Sequence, residues 1–287
     1  MKVALATSSD HPELASQEQP LIPALAAIGI EGIPRVWSDV SERWDDVDAV
    51  IIRSCWDYHR QHDRFVEWIM RLSRERVALW NPPSLVTWNS DKRYLRDLES
   101  KGVSIVPTVW TDESGDASLE SILIRHDWRE AVVKPAISAS GYETRRIQRS
   151  DADEMEAWFG AMRSRSPMLV QPLLHEVIRD GELSLVFLNG QFSHAALKRP
   201  REGDFRVHVE HGGSSVIQDE VPIGAIETAR DILAKVDGDW LYARVDGCIV
   251  DGAFVLMELE MVEPSLFLEL DADVARRFAE AIRARLR

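Results

Sequence analysis

The sequence predicts an α/β protein whose N-terminal part carries a parallel sheet and whose C-terminal part is α+β in character. Over residues 1–86, short apolar strand-like runs alternate with helical periodicity, the pattern that builds a parallel sheet. Further on, Asn189-Gly190 and Asp251-Gly252 each separate two strand-like runs and predict type I′ hairpins, the mark of antiparallel pairing. A smaller stretch of mixed helix and strand, about 107–170, lies between these regions.

The first strand is the apolar run 2–6. Leu21, Leu25 and Ile28 then recur at helical spacing after Pro20, and Gly29 ends that helix. Residues 49–52 form an uninterrupted apolar run, as expected of a strand covered on both faces. Phe65, Ile69 and Leu72 mark the next helix, and 77–80 another strand. Pro82-Pro83 punctuates the unit. A short helix is expected over 92–100, capped by Ser90 or Asp91 and closed by Gly102. The smaller lobe holds a helix at 119–125, strands at 131–134 and 143–148, and a helix from 151 to about 163. The hairpin strands are 183–188 with 191–197 and 245–250 with 253–259, covered by helices at about 222–236 and 272–286. This divides the chain into a first unit, 1–86, and a second, 87–287, with a lid lobe of about 107–170 and a sheet lobe of about 171–287.

At 287 residues there is ample chain for several layers of structure. Lys and Arg number 34 against 48 Asp and Glu, a formal net charge of −14. That argues against nucleic acid as the main partner, because phosphate binding needs a basic face; a small anionic ligand responds to local field instead. Cys55 and Cys248 are the only cysteines, which offers no zinc spacing and suggests buried free thiols in a reducing compartment. No apolar run approaches the ~20 residues that span a bilayer, and the first residues enter a strand without a signal-peptide pattern. A cytoplasmic protein is expected, with a homodimer left open.

Lys134 ends the apolar strand of Ala131, Val132 and Val133. A lysine there either snorkels to solvent or makes a fixed contact. The turn that follows, with Ser138, Ser140 and Gly141, is small and hydroxyl-rich, and such a turn can bring N–H groups and hydroxyls close to phosphates; a plain hairpin loop is the alternative. Lys92 near a helix start opposes the helix dipole, which makes sense if an anion binds there. Gln171, Leu173 and Leu174 belong to an apolar strand interrupted by Pro172, where freed backbone groups can meet a purine edge. Glu182, after Gly181, could accept from ribose hydroxyls. Neither a GxxxxGK[ST] loop nor a GxGxxG turn occurs.

Alternate residues of a strand share a face, so Arg244 pairs with Asp246 on one hairpin strand and Glu258 with Glu260 on the other. Among Val, Leu and Met, unpaired carboxylates are costly, and magnesium, which takes oxygen ligands from a few carboxylates plus phosphate, offsets that cost. A solvated sheet face is the alternative. Arg206 is a candidate to neutralise a phosphorylated intermediate. His208 and His211 are candidate bases or surface residues.

Taken in order, Asn89-Ser90-Asp91-Lys92, Val133-Lys134-Pro135, Gln171-Pro172, Gly181-Glu182, Phe205-Arg206, Gly212-Gly213, Val245-Asp246 and Glu258-Leu259-Glu260 with Pro264 resemble the ATP-grasp superfamily, most nearly its glutathione-synthetase-like members, over about residues 87–287. Residues 1–86 look like the pre-ATP-grasp domain. The string Arg53-Ser54-Cys55-Trp56-Asp57-Tyr58, with Tyr242 to Asp246, resembles the subgroup that contains the O-ureido-serine cyclo-ligase of cycloserine biosynthesis.

The resemblance implies an ATP-dependent carboxylate–amine or cyclising ligase acting through an acyl phosphate on an amino-acid-like small molecule. Lys92 and Lys134 would bind phosphates beneath the Ser138, Ser140 and Gly141 loop. Gln171, Leu173 and Leu174 would hold adenine, and Glu182 the ribose. Asp246, Glu258 and Glu260 would bind magnesium, or manganese in its place. Arg206 and Arg244 would stabilise the oxyanion. Arg53 would anchor substrate, with Trp56, Asp57 and Tyr58 beside it, although Trp56 and Tyr58 could equally pack beneath the nucleotide lobe. Glu260 stands where many members carry asparagine, and the phosphate loop is rich in Ser and Ala where relatives are rich in Gly. Two other functions remain: a nucleotide-binding regulator without catalysis, which the intact acids disfavour, and a ligase that modifies a peptide or protein tail, for which no basic groove is visible.

Overall fold

A computed structural model describes all residues except Asp116, His208 and Arg287, and the backbone alone of Glu210. The first sheet takes strands β1 (Lys2–Thr7), β2 (Glu31–Val36), β3 (Ala49–Ser54) and β4 (Leu79–Trp80), in the order β2–β1–β3–β4 and all parallel. Helix α1 (Leu21–Ala27) connects β1 to β2, and α2 (His62–Arg74) connects β3 to β4. As expected of a doubly covered sheet, Val3, Leu5, Ala49 and Ile51 face one core and Ala4, Ala6, Val50 and Ile52 the other. Strand β2 was not anticipated. Its Pro34 argues against a central strand, and β2 indeed lies at the sheet edge, where a missing N–H is tolerated.

Helices α3 (Pro83–Asn89) and α4 (Tyr94–Ser100) follow. The helix expected from residue 92 therefore begins two residues later. Lys92 sits in the turn between the helices because its N–H is claimed by the Ala136 carbonyl at 2.8 Å, while Asp91 accepts from the Arg93 N–H. The lid comprises β5 (Val109–Trp110), α5 (Leu119–Arg125), β6 (Glu130–Pro135), β7 (Arg145–Gln148), α6 (Ala152–Arg163) and β8 (Met168–Pro172), its antiparallel sheet ordered β5–β8–β6–β7. Leu119, Ile122, Phe159 and Met162 of the two helices close its separate core against Val133 and Val170.

After a short helix, α7 (His175–Asp180), come β9 (Glu182–Leu188), β10 (Gln191–Arg199), β11 (Ser214–Ile217), α8 (Ala225–Leu233), β12 (Tyr242–Val250), β13 (Ala253–Glu260) and α9 (Ala272–Arg285). The five strands form an antiparallel sheet, β11–β10–β9–β12–β13. α8 packs on one face; Val274, Phe278 and Ile282 of α9 pack on the other together with Leu5, Leu21 and Ile51 of the first sheet. One apolar layer thus joins the first and last parts of the chain. Among the described residues no helix is long and apolar enough to cross a membrane.

Both expected hairpins form, with Asn189, Gly190, Asp251 and Gly252 all at positive φ as type I′ turns require. Each ladder also carries an irregularity that neither turn announces. Pairing of β10 with β9 shifts between Phe192 and His194, and Lys198 consequently faces Glu182. Pairing of β12 with β13 shifts between Asp246 and Gly247, so that Asp246 faces Glu258 and Arg244 faces Glu260. Only glycine fits at the second irregularity: a Cβ on Gly247 would lie 2.4 Å from the Val255 carbonyl oxygen.

His194 on β10 is buried. Its Nε2 must carry a proton, since it bonds the Leu266 carbonyl at 3.0 Å, and Nδ1 bonds the Ser193 hydroxyl. Burial lowers its pKa from 6.5 to about 4. The unfolded chain therefore binds the proton first, and this contribution to stability is present above about pH 6.5 and lost as pH falls towards 4. The thermal midpoint is expected to fall over that interval, and His194→Gln should make the fall shallower; calorimetry at stepped pH tests both.

Candidate active site

The lid sheet and the five-stranded sheet face each other across one cleft, and its lining brings together most of the residues singled out from sequence. From the lid, β6 delivers Lys134, whose Nζ lies 2.7 Å from Glu258 Oε1. Lys92 reaches the same carboxylate, 3.5 Å from Oε2, and donates to the Ser138 carbonyl at 3.2 Å. Two cations from different elements thus meet one acid on β13. Ser138, Ser140 and Gly141 line the cleft above them, with Ser140 and Gly141 at positive φ. Gln171, Leu173 and Leu174 line its far wall, Gln171 held by a bond to the Thr108 hydroxyl.

A second cluster lies deeper. Asp246 accepts from the Ser184 hydroxyl at 2.7 Å, from Lys198 at 2.9 Å and from Arg244 at 2.8 Å. Burial opposes its ionisation, but the flanking Arg244 and Lys198 outweigh burial and hold its pKa at about 2. Lys198 also contacts Glu182, whose carboxyl is raised by burial. Arg244 is nearly saturated. It bonds Asp246 through Nε and Nη2, Glu260 through Nη2 at 2.7 Å and the Ser265 carbonyl through Nη1, which leaves one N–H of its five. Arg206 lines the cleft paired with Asp204 at 2.9 Å. His211 is not among the lining residues, and His208 lies outside the described residues.

The acids outnumber the cations that could neutralise them. Burial, then Asp246 and Glu258, raise Glu260; burial, then Glu260, push Glu263 up to about 8. Carboxylate oxygens in such surplus are suitable donors for magnesium, which binds through one or two carboxylates and phosphate oxygens. Among the described residues no three or more His, Cys, Asp or Glu gather into a ligand set by themselves.

Two expected substrate residues are placed elsewhere. Arg53 is fully buried: it pairs with Glu18 at 2.8 Å, donates to the Pro264 carbonyl at 2.7 Å and lies 5.2 Å from the ring centroids of Tyr242 and Phe278. It does not line the cleft; as a doubly covered β3 residue it braces the next wall through the Pro264 carbonyl. Asp57 is turned away and accepts from Trp37 Nε1 at 2.8 Å. Trp56 and Tyr58 do line the cleft; Tyr58 also packs against Phe65, which serves both readings of that residue.

Two features were missed. Lys198 lies one residue beyond the strand expected over 191–197 and within β10 of the structure. The other is the segment after β13, where six consecutive carbonyl oxygens each accept from a different side chain. Met261 accepts from Asn81, Val262 from the Tyr242 hydroxyl, Glu263 from Trp56, Pro264 from Arg53, Ser265 from Arg244 and Leu266 from His194, at 2.7–3.1 Å.

Residues 106–272 match the family described as the prokaryotic glutathione synthetase ATP-grasp domain, and residues 3–81 that described as the N-terminal domain of the D-cycloserine synthetase DcsG. The cycloserine biosynthesis protein DcsG of Streptomyces lavendulae is 31% identical over 299 residues, covering 99% of both chains. The chain belongs to the ATP-grasp ligases. It is an ADP-forming enzyme of the carbon–nitrogen bond-forming kind. The crystal structure of D-cycloserine synthetase DcsG superposes with a TM-score of 0.89 at 30% identity, over the whole of both chains. D-alanine–D-alanine ligase from Bacillus anthracis, solved with ATP, shares the fold at a TM-score of 0.69 and 15% identity, over 100% of this chain and 97% of that one.

Removing Arg53 would leave Glu18 buried without its partner and free the Pro264 carbonyl. Arg53→Ala is expected to cost about 3–5 kcal/mol, as breaking a buried ion pair does, read as a lower urea midpoint.

Proposed function

We propose that this chain is an ATP-dependent carboxylate–amine or cyclising ligase that acts in the cytoplasm on an amino-acid-derived small molecule. The observation that carries the reading is the convergence of Lys92 and Lys134 on Glu258 inside the cleft, beside Glu260 and Arg244. A cation pair held by one carboxylate is a place where a polyphosphate can exchange in, since phosphate oxygens offer the lysines stronger partners. Lys92 and Lys134 would take those oxygens under the Ser138, Ser140 and Gly141 loop. Gln171, Leu173 and Leu174 would bound the adenine, and Glu182 would meet the ribose. Asp246, Glu258 and Glu260 would hold magnesium, which when bound neutralises charge between phosphate oxygens.

The chemistry follows in two transfers. A substrate carboxylate oxygen attacks the γ-phosphorus, the bond to the β-phosphate oxygen breaks, and ADP leaves with that electron pair. A nitrogen lone pair then attacks the acyl carbon, inorganic phosphate departs and the nitrogen loses its proton. Lys92, Lys134 and Arg206 contribute by positioning and by neutralising charge as it develops. Arg244, with one N–H uncommitted, acts mainly by neutralising Asp246 and Glu260 and offers at most one bond to an oxyanion. Kinship to DcsG, named for cycloserine biosynthesis, supports a small amino-acid-derived substrate and a ring-closing variant of the second step.

The test is ADP release over amino acids and their ureido, hydroxy and aminooxy derivatives, with mass spectrometry of the products. Lys134→Ala and Glu258→Gln are each expected to reduce turnover by at least ~10²-fold, with circular dichroism unchanged. Undiminished ADP release in both variants would place the reaction elsewhere.

A further inference from the structure

Asp246, Glu258, Glu260 and Glu182 each lie against a lysine or arginine. Glu263 does not. It is only 7% exposed and lines the cleft, yet among the described residues its carboxylate has no ion-pair partner and accepts from no other side chain. The nearby cations Lys92 and Arg244 are engaged by Glu258, Asp246 and Glu260. Nor can Glu263 relax towards water by moving its backbone. Its carbonyl is held by Trp56 and those on either side by Tyr242 and Arg53, while Pro264 restricts the chain immediately after it. A carboxyl group in the cleft wall without a salt-bridge partner is favoured in its charged form when a cation arrives with the ligand. Trp56 and Tyr58 line the same cleft, and aromatic faces suit a cation.

We propose that Glu263 receives the ammonium group of the substrate, so that the ligand is an amino acid type of molecule held by its amine while its carboxylate is offered to the phosphate end of the cleft. This deepens the ligase reading and rests on it. Glu263 is then a specificity-determining residue: it selects for an amine and takes no part in phosphoryl transfer.

The probes are the two enantiomers of O-ureidoserine and 3-(ureidooxy)propionate, the same molecule without its amine, with ADP release as readout and binding of a nonhydrolysable ATP analogue as control. The amine-bearing probe should show a KM at least about 10-fold below that of its des-amino analogue, the worth of one charge-assisted hydrogen bond. Glu263→Gln should raise KM for the amine by about 10–100-fold with kcat within a few-fold, leave KM for the des-amino analogue where it was, and so erase the preference; Glu263→Asp should restore part of it. Equal KM values for the preferred enantiomer and the des-amino analogue in the unmodified enzyme would overturn the assignment. So would a Glu263→Gln loss shared equally by both probes, or bound nucleotide with no ADP release from any probe. If the nucleotide analogue itself fails to bind, the ligase reading fails, an outcome separable from failure of the ammonium site alone.

Discussion

The wall of the cleft from Met261 to Leu266 is neither helix nor strand, yet it is buried, and buried carbonyls must find donors. Six side chains supply them, from separate parts of the chain: Arg53, Trp56 and Asn81 from the first sheet and the loops after its strands, and Tyr242, Arg244 and His194 from the five-stranded sheet. The remaining edge of β13 is closed similarly, with the Leu259 N–H donated to the Tyr94 hydroxyl and the Leu259 carbonyl bonded by Asn89. The position of the acids on β13, of Glu263 and of the aromatic end of the cleft all follow from this set of bonds. It also explains why Arg53, expected to anchor substrate, and the polar Asn81 are fully buried. Their work is to satisfy backbone.

That role was not legible in the sequence. Arg53 follows an apolar strand and precedes an aromatic string, a placement equally suited to a ligand contact at a strand end and to a donor for a distant loop. Nothing local distinguishes the two, because the Pro264 carbonyl it serves is 211 residues away. By contrast, elements whose signal is local were legible: both Asx-Gly hairpins, the doubly buried strand β3, and α5, α6 and α9 with their apolar periodicity. β2 and α7 were not, the first because Pro34 masks an edge strand and the second because six residues are too few to show a period.

The ladder irregularities are the subtler case. Counting outward from Asn189-Gly190, a regular hairpin would set Leu197 opposite Glu182; from Asp251-Gly252, it would set Met257 opposite Asp246. One extra residue in each ladder replaces Leu197 with Lys198 and Met257 with Glu258. Sequence spacing groups Asp246 with Arg244 and Glu258 with Glu260 by face, since that depends on alternation within one strand. It could not find Lys198, since cross-strand partners depend on a register that the irregularities alter. Gly247 was the available sign, a glycine inside an apolar strand next to a charged residue.

Glu260 makes the site one charge more negative than an asparagine would, and the structure answers this with Arg244, which spans Asp246 and Glu260 and is steadied by the Phe267 ring, 5.6 Å from its guanidinium carbon. The consequence is a division of labour among the cations. Arg244 and Lys198, deep in the cleft, both hold the nearly buried Asp246, and pulling either away would leave that carboxylate less compensated for its burial. Lys92 and Lys134 share Glu258, whose side chain is 23% exposed against 2% for Asp246. Theirs are the contacts a polyphosphate can displace at least cost, because each lysine leaves one anion for another and the carboxylate it releases is already near water. A cleft organised in this way keeps Asp246 and Glu258 paired before a nucleotide arrives and places the Glu258 contacts at the side where lid and sheet meet.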